Sequence, residues 1–149
     1  MRRFSFRMQR ILNIKQSMEE LRKNEFGLAN RKLLEEKVKE EKINENIGSY
    51  QKMFADLTKK KISPIYLYSH SRYQSFLLAE LDRKREDIKQ SQNELEKQRE
   101  KLNQAIKERK TLEKLKEKNF ENYKFEFEKE DQKEIDESTS QLYNYYKER

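Results

Sequence analysis

A chain of 149 residues has room for one domain at most. Charged residues make up 42% of it and apolar residues 33%, against about 25% and 45–50% in an average globular domain. That balance excludes a thick two-layer core and leaves either disorder or a thin structure that buries a single stripe. The net charge of +7, spread among 28 acids, is too moderate to be a nucleic-acid signature by itself.

Two glycines and one proline are too few for the turns of a sheet protein, whereas two long helices need only one turn. Most of the remaining residues are good helix formers. The absence of cysteine removes disulfide and thiolate chemistry and fits a reducing compartment. No apolar run approaches the ~20 residues of a membrane span. The start carries no apolar signal block, although its arginines and lack of acid before Glu19 leave a transit peptide as an alternative.

The first predicted helix covers residues 4–58. Its apolar positions run Ile11, Ile14, Met18, Leu21, Phe26, Ala29 and Leu33, then Ile43, Ile47, Tyr50, Phe54 and Leu57. With polar steps at Glu36 and Glu40 filled in, the mean step is about 3.5 residues, between a supercoiled heptad and a straight helix. Gly27 and Gly48 sit inside this pattern, each at a cost of about 1 kcal/mol against Ala. The predicted turn, residues 59–64, ends on Pro64, the only proline; Ser63 is its candidate N-cap.

The second predicted helix covers residues 65–145, giving one antiparallel two-helix coiled-coil hairpin over 1–149, an all-α fold. Leu81, Ile88, Leu95 and Leu102 recur at heptad spacing. Their companion position holds Lys84, Ser91 and Gln98 before Ala105 and Leu112. So polar a seam predicts a pair that is partly solvated or completed by a partner. At 1.5 Å per residue the pair would be roughly 80 Å long, with the second helix overhanging.

Catalytic chemistry has little to work with. A phosphate-binding loop needs two glycines close together before Lys-Ser/Thr, and Gly27 and Gly48 are far apart. His70 is the only histidine, so neither a zinc site nor a nucleophilic triad has its ligands or its base. It is expected as a solvated residue at the start of the second helix. Carboxylates are abundant but are expected to be solvated, with unshifted pKa values. No cofactor, metal or small-molecule ligand is implied.

Three features exceed a plain rod. Aromatics cluster near the turn (Tyr50, Phe54, Tyr66, Tyr68, Tyr73, Phe76) and near the end (Phe120, Tyr123, Phe125, Phe127, Tyr143, Tyr145, Tyr146). Filling of the seam is one account of them. An exposed contact patch is the other, and Tyr66, Tyr68 and Tyr73 cannot all enter one seam. At the start, Phe4, Phe6, Met8, Ile11 and Leu12 interleave with Arg2, Arg3, Arg7 and Arg10. A membrane-surface helix, a basic arm for an acidic protein and the first turns of the seam all have this pattern. An acidic block at 128–137 follows a basic one at 112–118, which is either a solvated charge run or a docking element.

Residues 4–16, FSFRMQRILNIKQ, resemble the opening signature of FliJ-type flagellar proteins. Residues 112–137, LEKLKEKNFENYKFEFEKEDQKEIDE, resemble the closing block of the same family, with Asp131 where Glu is usual. The resemblance implies a hairpin similar to the central stalk of rotary ATPases and a non-enzymatic role in flagellar protein export, a type III secretion process. It implies docking into the hexameric flagellar export ATPase through Phe6, Arg7, Gln9 and Leu12 with Gln132, Lys133, Asp136 and Glu137. It implies contact with the cytoplasmic domain of the export-gate membrane protein through Ile47, Tyr50, Phe54, Phe76, Leu77 and Leu81, and escort of export chaperones. The implied location is cytoplasmic, held at the inner face of the cell membrane through the export apparatus; nucleic acid is not an implied partner. A self-associating structural coiled coil and a basic membrane-binding helical protein remain the alternatives.

Overall fold

The computed structural model describes the backbone of residues 3–147 and the side chains of 3–141 and 143. Two helices, α1 (Gln9–Thr58) and α2 (Pro64–Lys147), pack against each other as an all-α hairpin. Among the described residues there is no strand. Arg2 and the side chains of Tyr145 and Tyr146 lie outside the described residues.

The first helix starts at Gln9 and not at Phe4. Arg3, Arg7 and Arg10 repel the positive end of the helix dipole, and no acid stands in the first turn to offset them. Residues 4–6 are irregular, and Arg7 and Met8 form a turn closed by Gln9 N–H donating to the Phe6 carbonyl at 3.0 Å. The second helix starts at Pro64, whose missing N–H costs nothing at that position. Ser63 caps it: its hydroxyl accepts from Ile65 N–H at 3.4 Å and its carbonyl accepts from Tyr66 N–H at 3.0 Å.

The chain divides into two compact units. One comprises Glu20–Asn103 and contains the turn. Here α1 turns Phe26, Ala29, Leu33, Glu36, Glu40, Ile43, Ile47, Tyr50 and Phe54 inward, and α2 turns His70, Gln74, Leu77, Leu81, Lys84, Ile88, Ser91, Leu95, Gln98 and Leu102 inward. Steps of three and four residues alternate along both lists, the heptad pattern of a coiled-coil seam. Leu33, Leu77, Leu81 and Ile88 are the buried apolar residues of this unit. The pairing is antiparallel, because Glu36 meets Lys84 while Tyr50 meets His70.

The other unit comprises Met1–Glu19 and Gln104–Arg149. Its seam uses Leu12, Lys15 and Glu19 on α1 against Ala105, Arg109, Leu112 and Lys116 on α2. This corrects the expected stripe: Ile11, Ile14 and Met18 face solvent, one residue out of step with the seam. Apolar identity alone favoured the Ile11 register, but Lys15 and Glu19 are satisfied by α2 and take the inward positions. Lys15 Nζ donates to Glu108 at 2.6 Å, and Arg109 bridges Glu19 and Glu113. Among the described residues of this unit, Phe6 and Leu12 are the buried apolar ones. The Phe4 ring packs on Phe120 and Tyr123 at centroid distances of 5.2 and 5.6 Å. From residue 128 to 141 every described side chain is exposed.

Several carboxylates are therefore not the solvated groups the composition implied. Glu36 accepts from Lys39 and Lys84, each at 2.7 Å, and these two cations hold its carboxyl at about 2, far below the usual range. Lys84 is raised by Glu36 and then by Asp87. Glu108 is lowered by Lys15 and then by Gln104; Arg109 is raised by Glu19 and then by Glu113.

Candidate functional site

The turn unit carries a cleft of about 430 Å³ lined by Tyr50, Met53, Phe54 and Leu57 of α1, by Lys60, Lys61 and Ile62, and by Tyr66, Ser69 and His70 of α2. His70 is not solvated as expected. Its imidazole stacks on Phe54 (centroids 3.3 Å, planes 7° apart) and lies 5.1 Å from Tyr50. Its Nδ1 is buried without a hydrogen-bond partner. The signal for this was in the spacing, since His70 precedes Leu77 by one heptad on the companion position of α2. Tyr73 continues the aromatic row, 4.5 Å from Tyr50 and 6.3 Å from Phe76.

Of the residues implied to meet an export gate, the structure joins Tyr50, Phe54 and Phe76 into one aromatic surface through His70 and Tyr73. Ile47 is half-buried beside it in the seam. Leu77 and Leu81 are buried in the seam and present no face of their own, whereas Leu78 is exposed. Sequence reasoning passed over His70, Lys60 and Lys61 as site residues, and placed Tyr73 in the aromatic cluster without assigning it to the gate contact. The two lysines add positive charge to an otherwise apolar cleft.

The residues implied to meet an ATPase fall into two groups. Phe6 and Leu12 are buried in the seam, so they shape the surface and do not offer it. Arg7 is exposed, and Gln9 is half-buried, donating to Asn13 at 2.8 Å. Gln9 and Leu12 also line a cleft of about 710 Å³ with Phe4, Gln16 and the α2 residues Lys110, Glu113, Lys114, Lys116, Glu117 and Phe120. Gln132, Lys133, Asp136 and Glu137 are all exposed, with Gln132 donating to Asp136 at 3.1 Å. At 1.5 Å per residue, Gln132 lies roughly 18 Å along α2 from Phe120, so the two groups are successive surfaces of one unit and not a single patch.

Both surfaces are open, aromatic or charged, and both are carried on helices. Among the described residues no cluster of His, Asp or Glu is arranged to hold a metal ion. No helix of the described residues is long and apolar enough to cross a membrane. A protein-family model described as "Flagellar FliJ protein" matches residues 4–148. A search of the curated proteins and of the solved structures finds no match.

Proposed function

Because the chain belongs to the FliJ family and is thus a component of the flagellar protein-export apparatus, we propose that it serves there as a non-enzymatic stalk. On this reading, the unit carrying both termini docks in the hexameric export ATPase. The turn unit engages the cytoplasmic domain of the export-gate membrane protein and receives export chaperones. The work is done in the cytoplasm, at the membrane face where the gate opens.

The observation that carries the docking is the run of exposed side chains at 128–141, a helical segment with no cover of its own that displays Gln132, Lys133, Asp136 and Glu137. An uncovered charged helix suits a ring whose opening supplies complementary charge. The aromatic row Tyr50–Tyr73–Phe76 supports the second contact, because aromatic side chains supply much of the energy in protein interfaces.

The test is ATP hydrolysis by the purified export ATPase with and without this chain, and with Lys133 and Glu137 reversed in charge. Stimulation that the double variant loses supports the docking. No stimulation and no co-elution at any ratio overturns it. Capture by the gate's cytoplasmic domain, compared between the parent chain and a Phe54→Ala, Phe76→Ala variant, tests the second contact.

Self-association is a second reading, favoured by Ile11, Ile14 and Met18, which stand exposed at heptad spacing. It requires a stable homodimer in sedimentation equilibrium that Ile14→Lys dissolves.

A further inference from the structure

Between Asp56 and Glu80 the sequence holds no acid, in a chain that is 42% charged. The same stretch carries Lys59, Lys60, Lys61 and Arg72. These cations and the first turn of α2 share the turn end of the hairpin. That first turn has no acid of its own, so the positive end of the helix dipole adds to the charge of the lysines.

The apolar residues there do not form a stripe. Ile65, Tyr66, Leu67 and Tyr68 follow one another around the helix and are 69%, 69%, 56% and 64% exposed. Successive helical residues point about 100° apart, so four in a row cover every side of the helix. A helix that meets a protein partner needs one apolar face. A helix end that is apolar all round, with tyrosines and lysines beside it, matches the lipid–water interface. There aliphatic side chains enter the acyl boundary, tyrosines sit at headgroup level, and lysines meet anionic headgroups.

We propose that the turn tip, Lys59–Lys60–Lys61 with Ile65, Tyr66, Leu67 and Tyr68, is a lipid-contact element that dips into an anionic membrane surface. The tip shares Lys60, Lys61 and Tyr66 with the cleft described above, but the lipid contact does not use the Tyr50–Tyr73–Phe76 row assigned to the gate contact. It also relocates the membrane contact from the arginine-rich start of the chain to the opposite end of α1. The contact is interfacial, since no helix of the described residues can span a bilayer. It is also reversible, because three lysines and two aliphatic side chains give far less than a spanning helix.

The absence of tryptophan makes the test direct. Tyr66→Trp places a single tryptophan in the tip of the full chain, excited at wavelengths beyond the tyrosine band. Titration uses vesicles of phosphatidylcholine alone and of phosphatidylcholine with phosphatidylglycerol, at low and high salt, with pelleting as a second readout. The expected result is a blue shift and pelleting with the anionic vesicles only, weakened by salt. Changing the three lysines to Gln should weaken binding by roughly fivefold per lysine, and Leu67→Ser should remove the blue shift. Arg3, Arg7 and Arg10 changed to Gln should leave binding unaltered. All the substituted side chains are exposed, and circular dichroism verifies that the hairpin is kept.

No shift and no pelleting on anionic vesicles at low salt overturns the proposal and leaves an acidic protein surface as the partner of the tip. Loss of binding in the arginine variant but not in the lysine variant also overturns it, as does equal binding to neutral vesicles. Loss of ATPase stimulation or of gate capture bears on the function proposed above and not on this contact.

Discussion

The displaced seam in the terminal unit has a sharp energetic consequence at two neighbouring residues. Leu12 is 3% exposed and Ile11 is 46% exposed. Truncation to Ala removes about three methylene equivalents, each contributing about 0.8 kcal/mol when buried. At Leu12 nearly all of that is lost, about 2.3 kcal/mol, offset by about 0.2 kcal/mol for the better helix propensity of Ala. At Ile11 only about half is lost, and the propensity gain over a β-branched residue is about 0.4 kcal/mol, leaving roughly 0.9 kcal/mol. Urea unfolding followed by helical circular dichroism should therefore place Leu12→Ala about 1 kcal/mol below Ile11→Ala, read from the midpoints at an unchanged m-value. The comparison is internal, so unfolded-state effects largely cancel. Equal losses, or a greater loss at Ile11, would refute the Leu12–Lys15–Glu19 seam and restore the register that apolar identity favours.

Acid should weaken the turn unit between pH 4.5 and about 2. Glu36 is held down to about 2 in the folded chain, so its stabilisation is complete above 4.5 and fades as pH falls through the folded value. Glu36→Gln should flatten the acid limb of a stability–pH curve in that window, and an unchanged limb would contradict the Lys39–Glu36–Lys84 arrangement. Gly48→Ala should stabilise by about 0.5–1 kcal/mol in thermal unfolding, because a Cβ there meets nothing within 4 Å and its φ is not positive. His70→Leu should leave the hairpin as stable as the parent or about 1 kcal/mol more stable, since it removes a buried nitrogen that lacks a partner; a large drop in melting temperature would show that stacking on Phe54 outweighs that cost.

Much of this molecule is written locally. Good helix formers over long stretches, one proline after a serine, and two glycines in 149 residues dictate two helices and one turn, because each of those preferences acts within a few residues. The heptad of Leu81, Ile88, Leu95 and Leu102 marks the inward face of α2 by periodicity alone, and the FliJ-like blocks at the two ends announce the family. The inward face of α1 near its start is different in kind. Ile11, Ile14 and Met18 make the more apolar stripe, yet Lys15 and Glu19 go inside because Glu108 and Arg109 arrive from more than eighty residues away to neutralise them. The low carboxyl of Glu36 and the stacking of His70 on Phe54 have the same origin. Each depends on which side chain the opposite helix delivers, a matter of register between distant segments that local preference cannot encode and only the packed pair decides.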